Sequence, residues 1–134
     1  MDKIILTPLK QIANPKGDIF HAMKKSDKGF DGFGEAYFTT VHHGDIKGWK
    51  QHSSMTLNLV VPIGSVEFVI YDENSFYSVI LSKDNYQRLT VKPGVWMAFR
   101  GVGEEMNLVL NLASIEHNPS EAINRDLDEI VYAW

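Results

Sequence analysis

Turn-forming clusters recur at short intervals along most of this chain, and the runs between them are too short for globular helices. That spacing restricts the fold more than any other feature of the sequence. The clusters are Asn14-Pro15-Lys16-Gly17, His43-Gly44-Asp45, Pro62-Ile63-Gly64, Asp72-Glu73-Asn74, Lys83-Asp84-Asn85 and Lys92-Pro93-Gly94. Between and around them, residues 19–23, 33–41, 46–52, 55–61, 66–71, 77–81, 88–91, 95–100 and 106–113 read as strands. Short strands at even spacing predict an all-β antiparallel sandwich or barrel. With 134 residues the chain forms one domain, 1–134, large enough to bury a core without staples. Helix signals are confined to residues 119–127, where Asn118 can cap and Pro119 occupies the first helical position. A short helical C-terminal tail is therefore expected.

Alternation assigns the side chains to faces. In 46–52, Ile46, Gly48, Lys50 and His52 point one way. In 55–61, Leu57, Leu59 and Val61 form an apolar face, with Thr56, Asn58 and Val60 opposite. In 106–113, Met106, Leu108, Leu110 and Leu112 oppose Asn107, Val109 and Asn111, and in 33–41 Glu35, Tyr37 and Thr39 share a side. Strands of this kind fit a barrel with a polar interior, and equally a sandwich with one solvated face. Asparagine is disfavoured in mid-strand, so Asn58, Asn107 and Asn111 on one presumed face call for a reason.

Composition removes several function classes. A net charge of -4 gives no basic face for nucleic acid. The absence of cysteine excludes disulfides and thiolate chemistry. The first apolar stretch, Ile4-Ile5-Leu6, is too short for a signal peptide, and no run approaches the ~18 apolar residues of a membrane span. The expectation is a cytoplasmic protein with no membrane partner.

Three segments, taken in order, narrow the reading. The first is Ile46-Lys47-Gly48-Trp49-Lys50-Gln51-His52 followed by Met55-Thr56-Leu57-Asn58-Leu59-Val60-Val61-Pro62-Ile63-Gly64. The second is Leu81-Ser82-Lys83-Asp84-Asn85-Tyr86 leading to Val91-Lys92-Pro93-Gly94-Val95-Trp96-Met97-Ala98-Phe99. The third is Asp126-Leu127-Asp128-Glu129-Ile130 ending in Trp134. Together, from about residue 17 to 134, they resemble the RmlC-like cupin family: dTDP-4-dehydrorhamnose 3,5-epimerase and its relatives, the WxcM-like and FdtA-type sugar 3,4-ketoisomerases. The resemblance implies a cupin-type jelly-roll barrel, a homodimer, and a small-molecule ligand that is a dTDP-linked 4-keto-6-deoxy sugar.

The departures from the family pattern are informative. Metal-binding cupins carry a His-x-His pair, an acid and a later His; here the matching positions read Lys50, His52, Thr56 and Met97. One imidazole beside an ammonium does not hold a divalent ion, so no metal is expected. The epimerases place their base at the position of Lys50 and an acid tyrosine at that of Asn111. The ketoisomerases carry His-x-His, and His52 matches the second histidine of that pair.

Epimerisation and ketoisomerisation beside a carbonyl need a base for the carbon-bound proton and a partner for the enolate charge, both of which side chains can supply. No cofactor is implied. His52 is the candidate base; the Lys50 ammonium two residues earlier disfavours a second positive charge, and a neutral ring can accept a proton. Lys50, or the amides of Asn58, Asn107 and Asn111, would face the enolate oxygen, and Tyr37 is a candidate proton donor. Glu35 shares the Tyr37 face, and Trp96 can cover a base or sugar ring. Lys47, Arg88, Lys92 and Arg100 are basic groups for a diphosphate, without diagnostic spacing, and Asp126 or Asp128 can orient an imidazole. The resulting expectation is a cofactor-free isomerase or epimerase acting on a nucleotide-linked keto sugar in surface-polysaccharide biosynthesis. The alternative is a non-catalytic cupin that only binds the sugar nucleotide.

Overall fold

Twelve strands and two single-turn 3-10 segments make up the regular structure of a computed structural model that describes residues 1–134. In chain order the strands are β1 (Ile4–Pro8), β2 (Gln11–Ile12), β3 (Ile19–Phe20), β4 (Glu35–Thr40), β5 (Ile46–His52) and β6 (Leu57–Ile63). They continue with β7 (Ser65–Asp72), β8 (Ser75–Ser82), β9 (Gln87–Val91), β10 (Trp96–Gly101), β11 (Leu108–Ala113) and β12 (Ala122–Asn124). Two five-stranded sheets face each other, one ordered β1-β9-β6-β11-β4 and the other β12-β5-β10-β7-β8; β2 and β3 form a separate ribbon. Every pairing is antiparallel. This is the jelly-roll arrangement that the family resemblance implies.

Period-two patterning explains where the core lies. Leu57, Leu59 and Val61 of β6 project between the sheets, where they meet Val66, Phe68 and Ile70 of β7. Val109 and Ala113 of β11 and Leu89 and Val91 of β9 join the same cluster. The β7–β8 hairpin closes through Glu73 and Asn74, both at positive φ (47° and 66°), the backbone a tight two-residue hairpin requires.

Each sheet also has a covered outer face. Outside the first sheet, residues 21–31 are tied down by Arg88, which is 0% exposed. Its guanidinium donates to Asn58 Oδ1, Asp27 Oδ2, Thr7 Oγ1 and the carbonyls of Ala22 and Lys28. The Lys24 backbone N–H and Arg88 hold the Asp27 carboxyl below the ordinary range against the upward push of burial. Outside the second sheet, the C-terminal residues pack Ile130 onto Trp49, Val69, Trp96 and Ala98, and Trp49 Nε1 donates to the Ile130 carbonyl at 3.2 Å.

The tail departs from expectation. Asn118 does cap a turn, its side chain accepting from Ser120 N with Pro119 in the first turn, but the turn spans only Pro119–Glu121. The chain then extends as β12, which pairs with β5 in the register Ala122↔His52 to Asn124↔Lys50, and a second 3-10 turn covers Leu127–Glu129. Ladder bonds to an open sheet edge outcompete a helix that has no apolar stripe to bury. β1 and β2, unassigned from sequence, are likewise edge elements: β1 pairs only with β9 and β2 only with β3.

Candidate functional site

A bulge in β5 builds the site. Opposite β10, Met97 pairs with Lys50 and Phe99 with Lys47, so one residue of β5 is extra between these pairs. Gly48 occupies the bulge at φ 153°, and a Cβ there would collide with Ala98. Strict alternation would put Lys47 on the far side from Lys50. The extra residue instead brings Lys47, Lys50 and His52 to one cavity, while Ile46 turns outward against the Trp49 cluster. The expected common face of Ile46 with Lys50 and His52 is corrected for that reason.

The cavity lies between the sheets and measures about 310 Å³, a small-ligand size. Leu57, Leu59, Met97, Phe99 and Val109 form apolar walls. Polar groups divide by depth: His52 and Asn111 lie inside, with Tyr37, Thr39, Lys47, Lys50 and Asn124 toward the exposed mouth. Lys47 Nζ donates to Thr39 Oγ1 and the Thr40 carbonyl, leaving one of its three N–H bonds free. The Lys50 ammonium has no acidic partner.

His52 is held from behind. Its Nδ1 bonds Glu121 Oε1, while Glu121 Oε2 accepts from the backbone N–H groups of Ser54 (3.0 Å) and Met55 (3.1 Å). The Glu121 backbone carbonyl accepts from Ser53 N and Ser53 Oγ, which locks the position. Burial alone would raise the Glu121 carboxyl, but the His52 ring and the two backbone donors outweigh it and keep it below the ordinary carboxylate value. The ring's other nitrogen, Nε2, has no partner in the protein and belongs to a side chain that lines the cavity.

Of the residues singled out from sequence, the structure brings His52, Lys50, Tyr37 and Asn111 together at this cavity. Glu35, Asn58, Trp96 and Asn107 lie elsewhere. Asn58 faces outward from the first sheet, donating to the Gly29 carbonyl and accepting from Arg88 and Thr90. Asn107, which precedes β11, ties three loops by accepting from Ser65 N and donating to the carbonyls of Val41 and Gly103. Trp96 is packed outside the second sheet with the Arg125 guanidinium 4.7 Å over its ring. Glu35 is engaged by His117 N at 2.7 Å.

Among the basic candidates only Lys47 reaches the cavity; Arg88 is sealed in its network and Arg100 pairs with Glu67 at 2.9 Å. The acid that orients His52 is Glu121 and not Asp126 or Asp128. Its one sequence signal is position: it follows the capped Asn118-Pro119 turn at the start of the segment that pairs with β5. No three His, Asp or Glu side chains come together in an arrangement that could hold a metal ion.

Comparison with known proteins places this geometry. The family model described as FdtA, WxcM-like, C-terminal, matches residues 2–132. No curated protein matches the chain. Among solved structures, a dTDP sugar isomerase from Desulfovibrio desulfuricans is similar with a TM-score of 0.89 and 34% identity, covering 95% of this chain and 86% of that one. A mutant of the 3,4-ketoisomerase QdtA from Thermoanaerobacterium thermosaccharolyticum, in complex with TDP-4-keto-6-deoxyglucose, has a TM-score of 0.80 and 25% identity over 96% of this chain and 91% of that one. ChmJ, a 3'-monoepimerase from Streptomyces bikiniensis, shares the fold at a TM-score of 0.85 with 13% identity, over 99% of this chain and 75% of that one. A family match spanning nearly the whole chain, with a relative at 34% identity, settles the affiliation: this chain belongs to the FdtA family, WxcM-like, C-terminal.

Proposed function

We propose that this chain is an isomerase acting on a TDP-linked 4-keto-6-deoxy sugar, with His52 as the base that takes the proton from the carbon beside the ketone. The observation that carries the reading is the His52–Glu121 pair. A carboxylate bound to Nδ1 fixes the tautomer with its proton on that nitrogen, so the Nε2 lone pair is the one offered to the cavity. The same carboxylate stabilises the imidazolium that forms when the proton arrives. The enolate oxygen that develops at the same moment meets the Lys50 ammonium, and the Tyr37 hydroxyl supplies a proton at the mouth. Apolar walls keep water from the inner part of the cavity, where the His52 ring lies, and strengthen the interaction there. Side chains thus provide both halves of the chemistry, and the reading requires no metal or organic cofactor.

The likeness supports the reading: the Desulfovibrio relative is a dTDP sugar isomerase, and the QdtA ketoisomerase mutant holds TDP-4-keto-6-deoxyglucose. Lys47, with its one free N–H, and Lys50 supply positive charge at the mouth where a diphosphate would lie. A homodimer is part of the proposal. The support for it is β4, an edge strand of the first sheet, which leaves Phe38 65% exposed, with Phe33 just before it 63% exposed. The reading places the protein in the cytoplasm, where nucleotide sugars are made.

The test is incubation with TDP-4-keto-6-deoxyglucose and identification of the products by NMR. Conversion to a sugar with the ketone moved to the neighbouring carbon, or with one inverted centre, supports the proposal. Tight calorimetric binding without conversion would select the non-catalytic alternative, which the Lys50 substitution at a family histidine position favours.

A further inference from the structure

Asn111 sits in mid-strand on β11 with 2% of its surface exposed, and its carboxamide is only half engaged. Nδ2 donates to the Tyr37 hydroxyl oxygen at 3.0 Å across the Asn111↔Tyr37 register pair. Oδ1 is buried and has no hydrogen-bond partner in the protein, although the residue lines the cavity. Its neighbours on the same face of β11, Val109 and Ala113, belong to the apolar core. Asparagine is poorly suited to a strand, and a buried acceptor left unpaired is costly. Asn58 and Asn107 offset that cost with protein partners at both ends of the amide. The Asn111 oxygen has none, which points to a partner that arrives with the ligand. An amide oxygen only accepts, so the arriving group must carry a donor.

We propose that Asn111 Oδ1 accepts a hydrogen bond from a sugar hydroxyl on the carbon next to the ketone, and that this contact selects hydroxylated sugars over deoxy ones. The inference rests on the sugar-nucleotide reading of the site and adds a specificity-determining residue to it. With Nδ2 tied to Tyr37, the carboxamide presents its oxygen, not its NH2, to the ligand. The Tyr37 hydroxyl accepts that bond and keeps its own proton for the cavity. A sugar lacking the hydroxyl would enter with the Asn111 oxygen still unpaired, and sites built around such a bond reject the analogue that lacks it.

The test measures dissociation constants by calorimetry for TDP-4-keto-6-deoxyglucose and for its counterpart without the 3-hydroxyl. The parent protein is expected to bind the hydroxylated sugar about tenfold tighter or more. In Asn111→Leu that preference falls to near unity, because the deoxy compound no longer strands an acceptor. Asn111→Asp, which keeps acceptor oxygens, retains a preference. Asn111→Val serves if the leucine variant does not fold, valine being favoured in strands. Equal weakening toward both sugars in the apolar variants, or equal binding of both by the parent, would overturn the inference while leaving the isomerase reading intact. Failure of the parent to bind either compound would instead remove the sugar-nucleotide reading and the inference with it.

Discussion

Glu121 and His52 show what a single residue contributes here. The carboxylate holds three donors on two oxygens and so fixes both the ring plane and the tautomer of His52. Glu121→Gln is expected to lower kcat at least tenfold with little change in KM, measured by steady-state turnover. The same residue links stability to pH. Its carboxyl is depressed in the folded state, so its contribution is complete above the unfolded carboxylate value of about 4.3 and is lost as pH falls through the lower folded value. Chemical denaturation below about pH 4.5 should therefore show a shallower loss of stability for Glu121→Gln than for the parent. Arg88 is the structural counterpart: Arg88→Ala takes a charged donor from Asp27, one of two donors from Asn58, and the side-chain donor of the Ala22 and Lys28 carbonyls, and should cost about 3–5 kcal/mol, with the cavity unaltered. The asparagines mark the limit of residue-level reading. Sequence shows that a mid-strand Asn needs a partner; it does not show whether that partner is the protein, as for Asn58, or a ligand.

At the scale of elements, the bulge in β5 and the pairing of β12 decide the site. Alternation brought Lys50 and His52 to one face correctly because they lie two apart on the same side of the bulge. It misplaced Ile46 and Lys47 because an extra residue leaves no hydrophobic signature, only a glycine. Long two-sided strands such as β6, β7 and β11 were legible from their periodicity. β1 and β12 were not, being short edge strands whose hydrogen bonds come from a distant partner. In β12 the flanking pairs Ser53–Glu121 and Trp49–Arg125 bond through the backbone, which turns the Ile123 N–H toward Gln51. Ile123→Pro removes that donor. Turnover should fall by roughly the same factor as in Glu121→Gln, since one change displaces the carboxylate from His52 and the other removes it, while the core between the sheets persists and near-ultraviolet circular dichroism changes little.

For the whole molecule, two sheets enclose the cavity, and part of the exposed apolar surface, Phe38 with Phe33 near it, lies along the β4 edge. If a second copy covers it, Phe38→Asp converts the dimer to a monomer in analytical ultracentrifugation; a parent that sediments as a monomer would contradict the dimer. The all-β sandwich-or-barrel class was legible because turn spacing and strand length are global properties of the sequence; the jelly roll followed only from the family resemblance. The carboxylate partner of His52 was not, because it depends on how residue 121 returns to residue 52 through the fold. The most direct measurement is solvent deuterium uptake into TDP-4-keto-6-deoxyglucose at the carbon beside the ketone, followed by NMR. The parent should exchange that proton and His52→Asn should slow exchange at least a hundredfold; undiminished exchange in the variant would contradict the assignment of His52 as the base.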